Sequence, residues 1–138
     1  MIVNPSYAYM GKAEPANPVI FQKNEYNYPY SGVNYEIAAG GYFRMKAVAE
    51  LEFSDLNLTN FTKLSVQGGH NYSGTLQMKA IFIDASGNSS PGVTVDYYNG
   101  QRTTGVWNIP EQFRAKKCKV KFTTNNSSSL NLYFAKLS

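Results

Sequence analysis

The sequence predicts an all-β protein, specifically a two-sheet antiparallel β-sandwich of the jelly-roll type. Several segments alternate apolar and polar residues, which is the pattern of strands that bury one face. Clusters of Gly, Asn, Ser and Asp separate these segments, and no segment shows helical periodicity beyond one turn that Pro110 could start. At 138 residues the chain is long enough for one core of ordinary size.

Residues 1–41 are predicted to form an extended arm with short edge strands. This segment holds four of the six prolines, and each proline removes a backbone donor from any strand ladder. Its apolar residues and tyrosines carry too much apolar area to remain solvated, so docking is favoured over disorder. We expect the arm to lie on its own sandwich or to reach a neighbouring subunit. The tyrosines predicted to serve assembly are Tyr26, Tyr28, Tyr30 and Tyr35.

The sandwich itself is predicted to span residues 42–138. Its clearest strand runs from Tyr42 to Phe53, where the alternation has almost no error. The alternation of apolar and polar residues is interrupted at SDLNLTN and resumes at FTKLSV.

Further strands follow to the end of the chain. The run DASGN suits a tight reversal between two of them. In the last strand Leu130, Leu132 and Phe134 are predicted to share the inward face. The predicted strands span residues 63–68, 75–83, 93–98, 105–109, 118–123 and 130–137.

Four stretches of the chain resemble a known family of domains. ELEFSDLNLTNFTKLSVQG, AIFIDASGN, VWNIPEQFRAKKCKVKF and SSSLNLYFAKLS are similar to strands and chain crossings of carbohydrate-binding-module-like jelly rolls, also called galactose-binding-like domains. The resemblance covers about residues 42–138, and its motifs are packing motifs. It implies that Leu56, Leu58 and Phe61, in the interruption SDLNLTN, close one end of the core. Domains of this kind recur in virion proteins of tailed bacteriophages and in glycosidases. No ligand or calcium residue of the family is carried onto a position of this chain.

The resemblance and the arm together imply a non-enzymatic accessory or structural protein of a bacteriophage virion, in the head, tail or fibre. It would assemble with other virion subunits as a homo-oligomer and display the sandwich toward host-surface glycans. The N-terminus lacks the features of a signal peptide and no segment has the length of a membrane span, so we expect synthesis in the host cytoplasm without membrane insertion. A stand-alone carbohydrate-binding module is one alternative.

A glycoside-active enzyme that uses Glu50 and Glu52 is the other alternative. These two carboxylates lie on one face of a predicted strand, about 7 Å apart, which is compatible with acid and base roles on a glycoside. A solvated outer face shared with Arg44 and Lys46 explains the same pattern, and we favour that interpretation.

The hairpin YYNGQRTTGVW holds the candidate glycan-binding residues Tyr97, Tyr98, Arg102 and Trp107. An aromatic ring can cover the C–H face of a pyranose while arginine bonds its hydroxyl groups. The alternation also allows Tyr97 and Trp107 to belong to the core.

The net charge of +4 is concentrated near the C-terminus in a basic stripe of Arg114, Lys116, Lys117, Lys119 and Lys121. The last three share one face of a predicted strand, where they could meet nucleic acid or an acidic glycan. Lysines also protect a sheet edge or outer face from aggregation, and that interpretation is favoured. Because no aromatic residues interleave the stripe, nucleic acid is disfavoured as a partner.

The sequence predicts no metal site and no cofactor. His70 is the only histidine and is expected to be a solvated loop residue. The single cysteine, Cys118, excludes an intramolecular disulfide, and its alternation with Val120 places it in the core.

Overall fold

Ten β-strands and one turn of 3₁₀ helix make up the computed structural model, which describes residues 18–114 and 116–138. All ladders between these strands are antiparallel, so the predicted all-β sandwich class is confirmed. Within this part of the chain, no helix has the length and apolar character needed to cross a membrane. The strands are β1 (Val19–Gln22), β2 (Glu25–Tyr26), β3 (Tyr30–Ile37), β4 (Phe43–Asn57), β5 (Lys63–Gly69), β6 (Leu76–Asp84), β7 (Val93–Tyr97), β8 (Thr103–Asn108), β9 (Lys117–Asn125) and β10 (Leu130–Leu137), and the 3₁₀ helix is Glu111–Phe113.

The long strand β4 joins two sheets. One edge of β4 pairs with β10 around Phe43 and with β9 from Val48 onward. Sheet I therefore has the order β8–β5–β10–β1–β2, with the start of β4 beside β10, and sheet II has the order β3–β4–β9–β6–β7. The core lies between them, as shown by the ring centroids of Trp107 on β8 and Phe122 on β9, which are 6.1 Å apart although these strands do not pair.

The interruption SDLNLTN begins as a β-bulge within β4. The register against β9 shifts after Phe53, and Asp55 adopts a left-handed φ of 60°. Because a bulge adds one residue, Phe53 and Leu56 both point into the core, where both are fully buried. β4 therefore continues beyond the predicted end of the strand. The prediction that Leu56, Leu58 and Phe61 close the core is confirmed by their burial.

Residues 18–41 pack on the sandwich as short outer strands, which is one of the two locations expected for the arm, and the domain boundary after residue 41 stays a prediction. β1 pairs with β10 and β3 pairs with β4, while Ile20 and Phe21 are fully buried. The prolines mark the ends of short outer strands, where a missing donor costs no ladder bond. Residues 1–17 of the predicted arm lie outside the described part of the chain.

The four tyrosines predicted to serve assembly pack within the chain. Rings of Tyr26, Tyr30 and Tyr35 surround Phe43 at centroid distances of 4.9, 5.1 and 5.8 Å. Tyr28 is also half-buried against the core. Much of their apolar area is thus buried within the chain itself, and a role of these tyrosines in assembly stays a prediction.

A second bulge occurs in β10 at Tyr133. The register against β5 shifts between Leu132 and Phe134. Leu132 and Ala135 are both fully buried, so the two residues between them both face outward, and both are half-buried. The prediction that Phe134 faces inward is wrong, because the extra residue reverses the alternation after Tyr133.

Candidate functional site

The solvent face of sheet I carries a cluster of aromatic and polar side chains. The bulge in β10 places Tyr133 and Phe134 there as neighbours. The ring of Tyr42 lies beside that of Tyr133, with centroids 5.0 Å apart and planes inclined by 45°. We call this cluster the aromatic face: Tyr42, Arg44, Arg102, Asn131, Tyr133 and Phe134.

The polar members of the aromatic face form a row across the strands. Asn131 on β10 pairs with Gly69 on β5 and with Arg44 on β4. Arg44 in turn pairs with Glu36 on β3. Since neighbouring strands are about 4.8 Å apart, this row crosses the sheet at right angles to the strands and presents a polar group at each step except the glycine.

Arg44 is fixed by three hydrogen bonds. Its Nη1 donates to Glu36 Oε1 at 2.8 Å, its Nε to Asn131 Oδ1 at 3.2 Å and its Nη2 to the Tyr42 hydroxyl at 3.3 Å. The bond to Glu36, followed by that to Tyr42, raises the pKa of Arg44, so the guanidinium stays charged. The N–H groups not used in these bonds can donate to a ligand from a preset position.

Arg102 stacks on Tyr133. The guanidinium carbon lies 4.0 Å from the ring centroid, which is the geometry of a cation–π contact. Gly69 lies beneath them, and a Cβ there would come within 3.3 Å of Tyr133 Cε2 and 3.7 Å of Arg102 Cγ. The absence of a side chain at residue 69 thus lets the ring and the guanidinium lie close to the sheet.

Two of the glycan-binding residues predicted from the sequence, Tyr97 and Trp107, lie in the core instead. The Tyr97 hydroxyl donates to the carbonyl oxygen of Val66 at 2.9 Å, and Trp107 Nε1 donates to that of Val93 at 2.7 Å. Burial raises the pKa of Tyr97. Both side chains join sheet I to sheet II, so neither can serve as an open platform for a sugar.

The other two members of that predicted site are exposed. Arg102 belongs to the aromatic face, whereas Tyr98 is 48% exposed on the turn that follows β7. A role for Tyr98 in binding stays a prediction. The sequence did not point to Tyr42, Tyr133 or Phe134, because their shared exposure depends on the bulge in β10.

The basic stripe lies on the opposite side of the sandwich. Its lysines on β9 occupy the outer face of sheet II, in a central strand between β4 and β6. Lys119 is 3.7 Å from Glu52, and Lys116 is 3.4 Å from Asp84. Arg114 Nε donates to a backbone oxygen at 2.9 Å. Carboxylates therefore balance part of the stripe, and protection of a sheet edge does not apply to it.

The carboxylate pair of the enzyme alternative lies on the same outer face of sheet II. Glu52 is engaged by Lys119, and Glu50 is exposed opposite Thr123 of β9. A shallow cavity of ≈ 460 Å³ opens nearby on sheet II. It is lined by residues that include Ser54 and Asp84, but by neither glutamate and by no aromatic side chain.

His70 is buried, which corrects the expectation of a solvated loop residue. Its Nε2 donates to the Tyr97 carbonyl oxygen at 2.7 Å, and its Nδ1 accepts from the Tyr72 amide at 3.2 Å. Cys118 lies in the core as predicted, where burial raises the pKa of its thiol. Across residues 18–114 and 116–138, no three His, Cys, Asp or Glu side chains are grouped to hold a metal ion.

Comparison of the chain by sequence gives no relative: no protein-family model matches it, and neither does any curated protein. Comparison of the structure gives matches to carbohydrate-binding modules. A variant of CBM29-2, a family 29 module, aligns with a TM-score of 0.64 and 12% identity over 88% of this chain and 91% of that one. CsCBM6-3 from Clostridium stercorarium, solved in complex with cellobiose, aligns with a TM-score of 0.54 and 13% identity over 81% and 88%.

Longer chains match as well. PfGH50B aligns with a TM-score of 0.62 and 10% identity over 80% of this chain. This chain spans 22% of the length of PfGH50B and 24% of a Clostridium thermocellum xylanase 10B chain that also matches. At these identities the similarity shows the fold, which is the jelly-roll sandwich of carbohydrate-binding modules. Nothing in the matches indicates a bacteriophage origin.

Proposed function

We propose that this chain is a glycan-binding β-sandwich whose ligand lies across the aromatic face of sheet I. The observation that carries the proposal is the bulge in β10, which turns Tyr133 and Phe134 together toward solvent. Regular alternation would expose only one of them. A flat, apolar ring surface beside polar groups is suited to a pyranose, because the ring covers the C–H face of the sugar.

The polar members of the aromatic face supply the complementary contacts. Arg44 and Asn131 are held by hydrogen bonds to each other and to the neighbouring strands. Groups already fixed in place lose little conformational freedom when they bind a hydroxyl group. The likeness of the fold to carbohydrate-binding modules, one of them solved with cellobiose, supports the same function.

A glycan array followed by calorimetry tests the proposal. We expect the wild-type protein to bind at least one polysaccharide and Tyr133→Ala to weaken that binding by about tenfold, because a central aromatic contact is lost. Tyr98→Ala, at the exposed tyrosine predicted from the sequence, should leave the affinity unchanged. Loss of binding in Tyr98→Ala but not in Tyr133→Ala would place the ligand on the hairpin and refute the aromatic face.

The role of a virion accessory protein stays a prediction that rests on the sequence resemblance. A glycan-binding face suits a virion protein and a stand-alone carbohydrate-binding module about equally. Light scattering on the purified protein distinguishes them: a homo-oligomer supports assembly into a virion, and a monomer at high concentration supports the stand-alone module. The location in a virion stays a prediction as well, and a monomeric protein would count against it.

Catalysis at Glu50 and Glu52 is disfavoured by their surroundings. Glu52 is paired with Lys119, and the cavity nearby is lined by neither glutamate. We therefore propose a protein that binds glycan without hydrolysing it. Hydrolysis that is abolished in Glu50→Gln or Glu52→Gln would contradict this part of the proposal.

A further inference from the structure

A cation covers one side of the Tyr133 ring, where a neutral sugar would stack. The guanidinium of Arg102 lies 4.0 Å above Tyr133, so a pyranose can reach that side of the ring only by displacing it. We infer that the ligand of the aromatic face is an anionic glycan, a polysaccharide that bears carboxylate or sulfate groups. This inference rests on the glycan-binding function proposed above.

A stacked guanidinium keeps its hydrogen-bonding edge free. The contact of Arg102 with Tyr133 is made through the charge of the guanidinium and uses none of its N–H groups as hydrogen-bond donors. Carboxylate and sulfate oxygens match that edge with paired, charge-assisted hydrogen bonds. The side chain is thereby held ready for an anion by a contact that does not consume its donors.

Two cations on the solvent face of sheet I, Arg102 of the aromatic face and Lys136 beside it, are not balanced by carboxylates of the part of the chain that the structure describes. No carboxylate lies within 4.0 Å of Arg102 or of Lys136 in the described residues. Lys136 follows Phe134 on the same strand and holds its ammonium group 5.6 Å from that ring. The carboxylate nearest in the row, Glu36, is engaged by Arg44 at 2.8 Å.

On sheet II, by contrast, two of the lysines are paired with carboxylates. There Lys116 and Lys119 each have a carboxylate within 4.0 Å, at Asp84 and Glu52. The basic stripe predicted from the sequence is therefore partly neutralised. Arg102 and Lys136 on sheet I lie beside aromatic rings with no carboxylate partner among the described residues, and an anionic ligand would neutralise them.

The spacing of the cations favours a polymer over a single sugar acid. Arg102, Gly69, Asn131 and Arg44 follow one another across adjacent strands. Arg102 directly precedes β8, so about three strand spacings, or about 14 Å, separate the backbones of the two arginines, and their side chains extend toward β10 from its two sides, to Tyr133 and to Asn131. A chain with repeated anionic groups can contact both ends of this row at once, and each contact then raises the effective concentration for the other.

Single-stranded nucleic acid is the other polyanion that binds aromatic residues on sheets. It binds by stacking bases on open rings while cations contact the phosphates. On the aromatic face Arg102 already occupies one side of Tyr133, and Tyr42 lies against the same ring. The anionic glycan is favoured because it needs the cations without needing an open ring for each unit.

Calorimetry with matched polymers tests the inference. Polygalacturonate is compared with its carboxyl-reduced form, and a sulfated galactan with its desulfated form, so that carboxylate and sulfate are examined separately. We expect one anionic polymer to bind at least about tenfold more tightly than its neutral counterpart. The affinity should fall as the Debye length shortens from about 30 Å at 0.01 M salt to about 3 Å at 1 M salt.

Two variants test which side of the sandwich binds the anionic polymer. Arg102→Ala should weaken binding of the anionic polymer by about tenfold, with partial recovery in Arg102→Lys. Lys121→Ala removes the same charge from the outer face of sheet II and should leave the affinity unchanged. Equal loss in Arg102→Ala and Lys121→Ala would show attraction by net charge alone and overturn the inference.

The remaining outcomes separate this inference from the function on which it rests. Equal binding of the neutral and anionic polymers overturns the inference but leaves glycan binding intact. If no polysaccharide on the array binds the wild-type protein, the proposed function itself fails. Tighter binding of single-stranded DNA than of any glycan, weakened in Arg102→Ala, overturns the inference in favour of nucleic acid.

Discussion

The hydroxyl of Tyr97 on β7 donates a 2.9 Å hydrogen bond to the carbonyl oxygen of Val66 on β5, and thereby joins sheet II to sheet I. Tyr97→Phe keeps the ring and removes this bond. We expect the free energy of unfolding in urea to fall by about 1 kcal/mol, with glycan affinity unchanged. Tyr98→Phe, at the neighbouring exposed tyrosine, is the control and should leave stability unaltered. Equal stability of Tyr97→Phe and wild type would show that the bond makes no net contribution.

Substitutions at two adjacent glycines, Gly68 and Gly69, test stability and glycan binding separately. A Cβ at Gly68 would lie 2.7 Å from the buried Tyr97 ring, whereas one at Gly69 would lie 3.3 Å from Tyr133 on the aromatic face. Gly68→Ala should therefore lower the free energy of unfolding by about 1–3 kcal/mol, because it overpacks the core.

Gly69→Ala should instead weaken glycan binding and change stability less, because its methyl group would lie 3.3 Å from Tyr133 Cε2 and from the Gln101 carbonyl oxygen, so that the Tyr133 ring must shift by a few tenths of an ångström. Thermal unfolding and calorimetry on both variants check this pair of outcomes. Reversed effects, with Gly69→Ala unfolding readily and Gly68→Ala losing only affinity, would contradict the assigned faces.

The Asp84 carboxylate makes stability depend on pH. Its burial opposes ionisation, but hydrogen bonds from the backbone and side chain of Asn88, from Lys116 and from the Ser86 amide outweigh burial and lower the pKa of Asp84. A lowered folded-state pKa contributes stability above the unfolded value of 3.8, and that contribution is lost as the pH falls through the folded value.

Asp84→Asn should therefore be less stable than wild type at pH 7, and the difference should shrink as the pH is lowered below 3.8. Urea unfolding at a series of pH values measures this. Parallel pH profiles of the two proteins would show that the carboxylate of Asp84 carries no pH-linked stability.

The bulge in β4 depends on the left-handed backbone of Asp55, whose φ is 60°. Aspartate tolerates this conformation and a β-branched residue does not. Asp55→Val should be about 1–2 kcal/mol less stable than Asp55→Gly. Comparison of the two variants by chemical unfolding is the measurement, and equal stabilities would mean that the bulge can adopt another geometry.

Much of the fold could be predicted because alternation is local. The regular strand before Phe53, with Leu51 and Phe53 buried, follows directly from the apolar pattern. The two bulges could not be predicted, since each depends on pairing with a distant strand. That is why Phe134 was expected in the core although it faces solvent.

The packing of the arm on the sandwich and the burial of two candidate site residues could not be decided from the sequence, for related reasons. Pro29 indicates a break in a strand ladder. Short outer strands tolerate a proline at their ends, and other residues of the same segment, such as Phe21, complete the core. Tyr97 and Trp107 have the composition of a sugar platform, yet each reaches a backbone oxygen across the core. Sequence composition alone could not decide between these roles.

Tyr133 is the surplus residue in the β10 ladder, because Leu132 and Phe134 pair with the consecutive residues Gly68 and Gln67. A chain without residue 133 could pair along the same ladder in unbroken register, with Leu132 and Ala135 still in the core. Loss or gain of a single codon at this point would therefore remove or create the double aromatic surface while sparing the scaffold. A β-sandwich with such a ladder can acquire or discard a ligand surface in one evolutionary step.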